Sequence, residues 1–228
     1  MGTTQLRDAG LRAGDEVVLP AYGGGEVAQA VRETGARPVV VDIDPRSFCI
    51  DPAAVATAVN GRTTAIAPVH LFGHPADMAR LRDLAERHEL RTVEFGLPPH
   101  APSLDAVRRR KNADFLSSRL TGVRVPSVAQ GVEHAYDEYV VRVPGNGRPD
   151  RDAFKHALRA RGVNCWVPVR MPVHWMPGFR SGERLPEAER AADECLALPV
   201  DASMTRRELQ RVVSACNSLG GLLLEPAC

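Results

Sequence analysis

The chain has 228 residues, a quarter of them charged, with 29 basic against 28 acidic side chains and a formal net charge of +1. That length suits one sizeable core with an appendage or two small cores, and the balanced charge supplies no field to concentrate nucleic acid or an anionic membrane. No apolar run approaches the roughly 20 residues of a membrane-spanning helix, so a cytoplasmic protein is expected. Cys49, Cys165, Cys195, Cys216 and Cys228 are odd in number and form no Cys-x-x-Cys pair, which argues against a disulfide framework and a zinc site. Lys111 and Lys155 are the only lysines.

Along the first hundred residues, short apolar runs alternate with helical patterns. Residues 15–20 (DEVVLP), 38–42 (PVVVD), 64–69 (TAIAPV) and 91–94 (RTVE) read as buried strands. Between them, 26–34, 52–59 and 76–89 carry apolar residues three and four apart. Strand, helix, strand at this spacing predicts an α/β fold with a parallel sheet and crossover helices. Asp51-Pro52 and His74-Pro75 place a proline in or just before a first helical turn. Residues 103–120 (SLDAVRRRKNADFLSSRL) predict a basic amphipathic helix capped by Ser103 and ended by Thr121-Gly122. Its Arg108–Lys111 run reads as a solvated face, given the neutral whole.

Beyond it the pattern changes. Residues 136–143 (YDEYVVRV) alternate like a half-buried strand, 150–161 read as a helix stopped by Gly162, and 163–169 as a second strand. Residues 187–196 and 205–219 predict two more helices, the latter opened by a Thr205…Glu208 capping box. The expected organisation is a large domain over 1–102, a connecting helix over 103–123 and a small α+β domain over 124–228.

Five segments in order carry a resemblance: GLRAGDEVVLPAY (10–22), ARPVVVDIDPRSFCID (36–51), RTTAIAPVHLFGHPADM (62–78), HAYDEYVVRV (134–143) and VPVRMPVHWMPGFR (167–180). Together they resemble the DegT/StrS family of sugar aminotransferases, fold type I pyridoxal-phosphate enzymes. The resemblance implies a truncated large domain of the aminotransferase fold followed by a smaller C-terminal domain. It also implies a lysine that forms a Schiff base, an aspartate that keeps the pyridine nitrogen protonated, an aromatic ring stacked on the cofactor and a small-residue phosphate motif.

Against that pattern this sequence departs at each point. Where the family reads acid-Asp-Ala-Ala, it has Glu94-Phe95-Gly96-Leu97, so Phe95 stands in the place of the aspartate. After His100 the chain passes almost directly into the 103–120 helix, so the lysine segment and its strands read as deleted. Neither Lys111 nor Lys155 sits in a Schiff-base context. Gly23-Gly24-Gly25 replaces the stacking residue, and Met1-Gly2-Thr3-Thr4 is similar to the phosphate motif but is followed by a helix that is too short. The expectation is that pyridoxal phosphate is lost and no cofactor is bound.

Other candidates follow from residue chemistry. The Gly23–Gly25 run before a helix reads as a strand-to-helix turn rather than an anion site, because no Lys or Ser/Thr follows and Glu26 is negative. Asp42 and Asp44 could pair for acid–base work or a metal, but the resemblance makes Asp42-Ile43-Asp44-Pro45 an ordinary turn. His70, His74, His100, His134 and His174 are titratable near neutrality but lack the helical spacing of a zinc motif. The resemblance places histidines at 70 and 174, the latter in a second-domain loop that closes over substrate, and Arg170 where the family has another histidine. His100 and His174 are the catalytic candidates; Tyr22, Arg170 and His174 are the substrate-binding ones. Three functions stay open: an inactive homologue that pairs with itself or a complete aminotransferase, or is a remnant; a cofactor-free acid–base enzyme acting on a sugar or secondary metabolite; and a sugar aminotransferase by homology. The expected ligand is an anionic small molecule.

Overall fold

A computed structural model describes residues 2–96, 103–144 and 151–223. Its contacts divide the chain into two units, Met1–Pro98 with Met171–Arg190, and Pro99–Arg170 with Ala191–Cys228. The expected boundaries at 102 and 123 are therefore redrawn. Residues 171–190 return to the first unit because Val173 donates its N–H to Ala21 O at 2.7 Å and buries its side chain in that unit's core.

The first unit is a parallel sheet of β1 (Glu16–Pro20), β2 (Arg37–Val41), β3 (Thr63–Ile66) and β4 (Arg91–Thr92), in the order β2-β1-β3-β4. The helices α1 (Gly2–Asp8), α2 (Gly25–Glu33), α3 (Pro52–Ala58) and α4 (Met78–Arg87) precede, link or follow these strands in the expected alternation. Strand β1 is buried at all five positions. Val17 and Leu19 face one core with Leu6, Val27 and Val31, while Val18 faces another with Ile66, Leu81 and Leu84. Burial on both faces explains why the strand reads as a continuous apolar run. Asp51 caps α3 by accepting the Ala53 N–H, with Pro52 opening the helix. By contrast, α4 starts at Met78 with Asp77 as its cap, so Pro75 lies outside it.

In the second unit, α5 (Leu104–Ser117), β5 (Tyr139–Arg142), α6 (Arg151–Ala160), β6 (Cys195–Leu198) and α8 (Arg206–Leu223) enclose one core that includes Leu116, Tyr139, Val141, Leu158, Leu196 and Val213. Helix α7 (Pro186–Glu194) carries the boundary between units. Ser103 caps α5 as expected, and α5 contributes Ala113 and Leu116 to this core rather than acting as a separate connector. The expected helix over 187–196 stops at Glu194, and Cys195–Leu198 forms the antiparallel partner of β5. The cause is tertiary: all four residues of each strand are buried, so their peptide groups need each other. Residues 163–169 contribute only the bridge Trp166 to Ala197. The Thr205…Glu208 capping box forms, with reciprocal bonds of 2.7 and 3.3 Å. Among the described residues, no helix is long and apolar enough to cross a membrane.

Candidate functional site

In an open parallel sheet, ligands bind beyond the carboxyl ends of the strands where the strand order reverses. Here the reversal lies between β1 and β3, flanked by the segments Ala21–Gly24 and Ala67–Ala76. Tyr22 lies in the first of these segments. Its ring is fully buried and packs with Phe48 and Phe72, centroids 6.1 and 6.2 Å away. Phe48 and Phe72 have φ of 61° and 60°, a left-handed conformation that costs a non-glycine residue about 1–2 kcal/mol. Packing of the three rings holds it. The sequence gives no sign of this cluster, because its members lie about 25 residues apart and meet only through the sheet.

The glycine run has a specific consequence. Gly23 has φ +75°, and a Cβ there would stand 2.7 Å from Leu71 Cδ1. A Cβ on Gly24 would collide with Pro20 O, and one on Gly25 would stand 3.3 Å from Met176 Sδ. Side chains of Leu71 and Met176 thus occupy the space that larger residues at 23 and 25 would fill.

Beyond β3 and β4, His70 and Glu94 form a network missed in the sequence. The His70 side chain is 2% exposed; its Nδ1 accepts the Ala76 N–H at 3.0 Å, which leaves the proton on Nε2 to be donated to Glu94 Oε2 at 3.2 Å. Arg82 donates to the other Glu94 oxygen at 2.8 Å. Burial works to raise the Glu94 carboxyl, but the bonds from Arg82 and His70 outweigh it and hold it below the ordinary range. Phe95 follows, partly buried against the core of α1 and α2. It pairs with Val69 as an extension of β4.

His174 sits in a 3-10 turn, Val173–Trp175, tied to Ala21 and thus beside Tyr22 in the chain path. It is 1% exposed, its Nε2 lies 3.3 Å from Glu189 Oε1, and its Nδ1 has no hydrogen-bond partner among the described residues. Glu189 also accepts the Leu185 N–H and Arg184 Nε. Burial raises its carboxyl, and the Leu185 N–H, His174 and Arg184 bring it below the usual range. Arg170 belongs to the second unit, where it is exposed and makes no hydrogen bond or ion pair among the described residues. His100 lies outside the described residues.

Asp42 and Asp44 are committed to structure. Asp42 accepts the N–H groups of Glu187 and Ala188 at 3.0 and 2.8 Å, and Asp44 accepts those of Arg46 and Ser47. His134 stacks on Tyr136 at 4.0 Å, and His74 Nδ1 lies 2.7 Å from Pro75 O. Burial lowers the His74 pKa, opposed by that carbonyl and by Asp44. No cluster of three or more His, Cys, Asp or Glu able to hold a metal occurs among the described residues. Lys111 is exposed on α5, and Lys155 on α6 pairs with Asp152 at 2.8 Å.

Comparisons with known proteins agree with this architecture. The model of the DegT/DnrJ/EryC1/StrS aminotransferase family matches residues 3–94 and 103–217. A pleiotropic regulatory protein of Geobacillus stearothermophilus is 28% identical over 300 aligned positions, covering 91% of this chain and 79% of that protein. The dTDP-3-amino-3,4,6-trideoxy-alpha-D-glucose transaminase of Streptomyces venezuelae is 27% identical, covering 92% and 78%. Alignments of 300 positions against 228 residues mean that these relatives carry a long stretch this chain lacks. The crystal structure of NtdA from Bacillus subtilis with bound cofactor PMP has the same fold, with a TM-score of 0.84 at 22% identity over 96% of this chain and 71% of that one. With both of its units matched and its parallel sheet shared, the chain belongs to the DegT/DnrJ/EryC1/StrS aminotransferase family.

Proposed function

We propose that this chain is a sugar-aminotransferase homologue that does not act as a pyridoxal-phosphate transaminase by itself and serves as a structural partner of a complete family member. The observation that carries the reading is the filled crevice at the strand-order reversal. Leu71 and Met176 close on Gly23 and Gly25 there, where the family presents a stacking residue to its cofactor. Phe95, in the place of the family's aspartate, offers no oxygen to a pyridine N–H. Lys111 and Lys155 lie on helices of the second unit, one solvated and one paired with Asp152. The residues present therefore do not fit the cofactor.

The break in the family match between residues 94 and 103, together with the longer relatives, supports a partner role. Strand β4 ends the sheet, and an unpaired edge at such a place is a template for another chain. Incubation with pyridoxal phosphate followed by borohydride tests the first half of the proposal: no stable adduct is expected in the mass spectrum, and one at Lys111 or Lys155 overturns it. Co-expression with a complete family member from the same genome tests the second, with a stoichiometric complex expected.

A second reading, cofactor-independent acid–base chemistry on an anionic metabolite, is favoured by His174 Nδ1, a buried imidazole nitrogen with no hydrogen-bond partner among the described residues. Separately, Arg170, exposed on the second unit, is the expected contact for an anion, and Arg170→Ala weakens nucleotide-sugar binding by about 1.5–3 kcal/mol in calorimetric titration. Equal affinities of the two proteins remove Arg170 as an anion contact.

A further inference from the structure

A cavity of about 310 Å³ runs along the outer edge of β2, walled by Arg37 to Val40 on one side and by Gly178 to Ser181 and Glu183 on the other. Both walls belong to the first unit. Arg37 donates its N–H to Asp15 O, and Val41 O accepts from Ala21. Residues 37, 39 and 41 therefore turn their peptide groups towards β1, and the alternation of a strand points those of Pro38 and Val40 outward into the cavity. Proline has no N–H. Val40 thus presents one donor, flanked by the acceptors Pro38 O and Val40 O.

The opposite wall is held elsewhere, which keeps the groove open. Gly178 has φ +85°, and a Cβ there would stand 2.6 Å from Arg32 Nη1. The same guanidinium lies 4.6 Å over the Phe179 ring. Phe179 and Ser181 donate their N–H groups to Met176 O and His174 O. No backbone hydrogen bond joins the two walls.

The cationic charge on the lining is only partly paired. Arg37 is 74% exposed, and its ion-pair partner Glu16 lies 3.7 Å away, already bonded by Arg62 at 2.8 Å and Asn60 at 3.0 Å. Arg180 is exposed with no ion pair or hydrogen bond among the described residues. Against these two guanidinium groups, Glu183 is the one carboxylate on the lining.

We propose that this groove binds a short extended amide ending in a carboxylate. The ligand's terminal residue donates its amide N–H to Val40 O and accepts the Val40 N–H on one carboxylate oxygen, as one residue of added strand, and the carboxylate is also received by Arg180 and Arg37. Pro38 stops the pairing after that residue, which excludes a long strand. A cavity at the small end of the ligand-binding range fits the same size. The chemistry is shared by a peptide C-terminus and an N-acylated amino acid.

The test titrates the full-length, ¹⁵N-labelled chain with N-acetylalanine, its carboxamide, and acetyl-trialanine acid. Saturable displacement of the Val40 amide resonance is expected with both acids, at least about tenfold weaker with the carboxamide. Arg180→Gln and Arg37→Gln, both at exposed side chains and checked by unchanged circular dichroism, should each weaken acid binding by about three- to tenfold and leave the carboxamide unaffected. Tighter binding of the trialanine acid identifies a peptide terminus as the natural source, and tighter binding of N-acetylalanine identifies a small acid. An unmoved Val40 resonance, equal affinity for acid and carboxamide, or acid binding untouched by both substitutions overturns the proposal.

Discussion

Glu16 shows how much one buried charge decides. Its side chain is 4% exposed at the start of the central strand, yet it is bonded by Arg62 Nε and Asn60 Nδ2 and approached by Arg37. The Arg62 hydrogen bond, then that of Asn60, holds its carboxyl below the ordinary value against the opposing effect of burial. A depressed carboxyl stabilises the fold above its unfolded pKa near 4.5 and loses that contribution as pH falls through the folded value. Glu16→Gln is therefore expected to cost about 1–3 kcal/mol at pH 7, and the gap between variant and parent should narrow as pH falls below the unfolded value of 4.5. Urea unfolding at pH 7 and pH 3.5 checks both the size and the sign; a gap that widens in acid contradicts the assignment.

Among the elements, α7 depends on a cap that its own sequence does not contain. Its first turn is closed by Asp42, at the end of β2 and nearly 150 positions away, through the N–H groups of Glu187 and Ala188. Asp42→Ala should destabilise the chain by about 0.5–2 kcal/mol, the range for N-cap loss, and Asp42→Asn should recover most of it. Thermal unfolding of the pair separates a cap from a catalytic carboxylate, since a catalytic role predicts no stability change. Two local caps were legible in the sequence, Ser103 before α5 and Thr205 with Glu208 before α8, whereas the caps Asp51 of α3 and Asp77 of α4 emerged only in the structure. Strand β6 was not, because Cys195–Leu198 continues the apolar run of a helix and becomes a strand only against β5.

For the whole molecule, the short sheet leads to an expectation of association. The sheet has four strands and β4 has two residues, so its outer side carries peptide groups without a strand partner among the described residues. Gln5 covers part of that edge by donating to Glu94 O at 2.8 Å. The isolated chain is expected to associate at micromolar concentration or to unfold at modest temperature. Light scattering with thermal melting checks this, and a monodisperse monomer that melts cooperatively above roughly 65 °C, the upper end of the usual mesophile range, speaks against it.

The sequence by itself determined the parallel α/β alternation, the caps at Ser103 and Thr205 and the family kinship, because apolar periodicity, turn residues and motif order are written in contiguous residues. It also brought Tyr22, His174 and Arg170 forward as candidates. Only the tertiary structure decided that 171–190 folds back onto the first unit through Val173 and Asp42, that Leu71 and Met176 fill the space beside three glycines, and that His70 is locked between Ala76 and Glu94. Each of these joins residues far apart in the chain, where no local pattern carries the information and burial with hydrogen-bond satisfaction selects the partner.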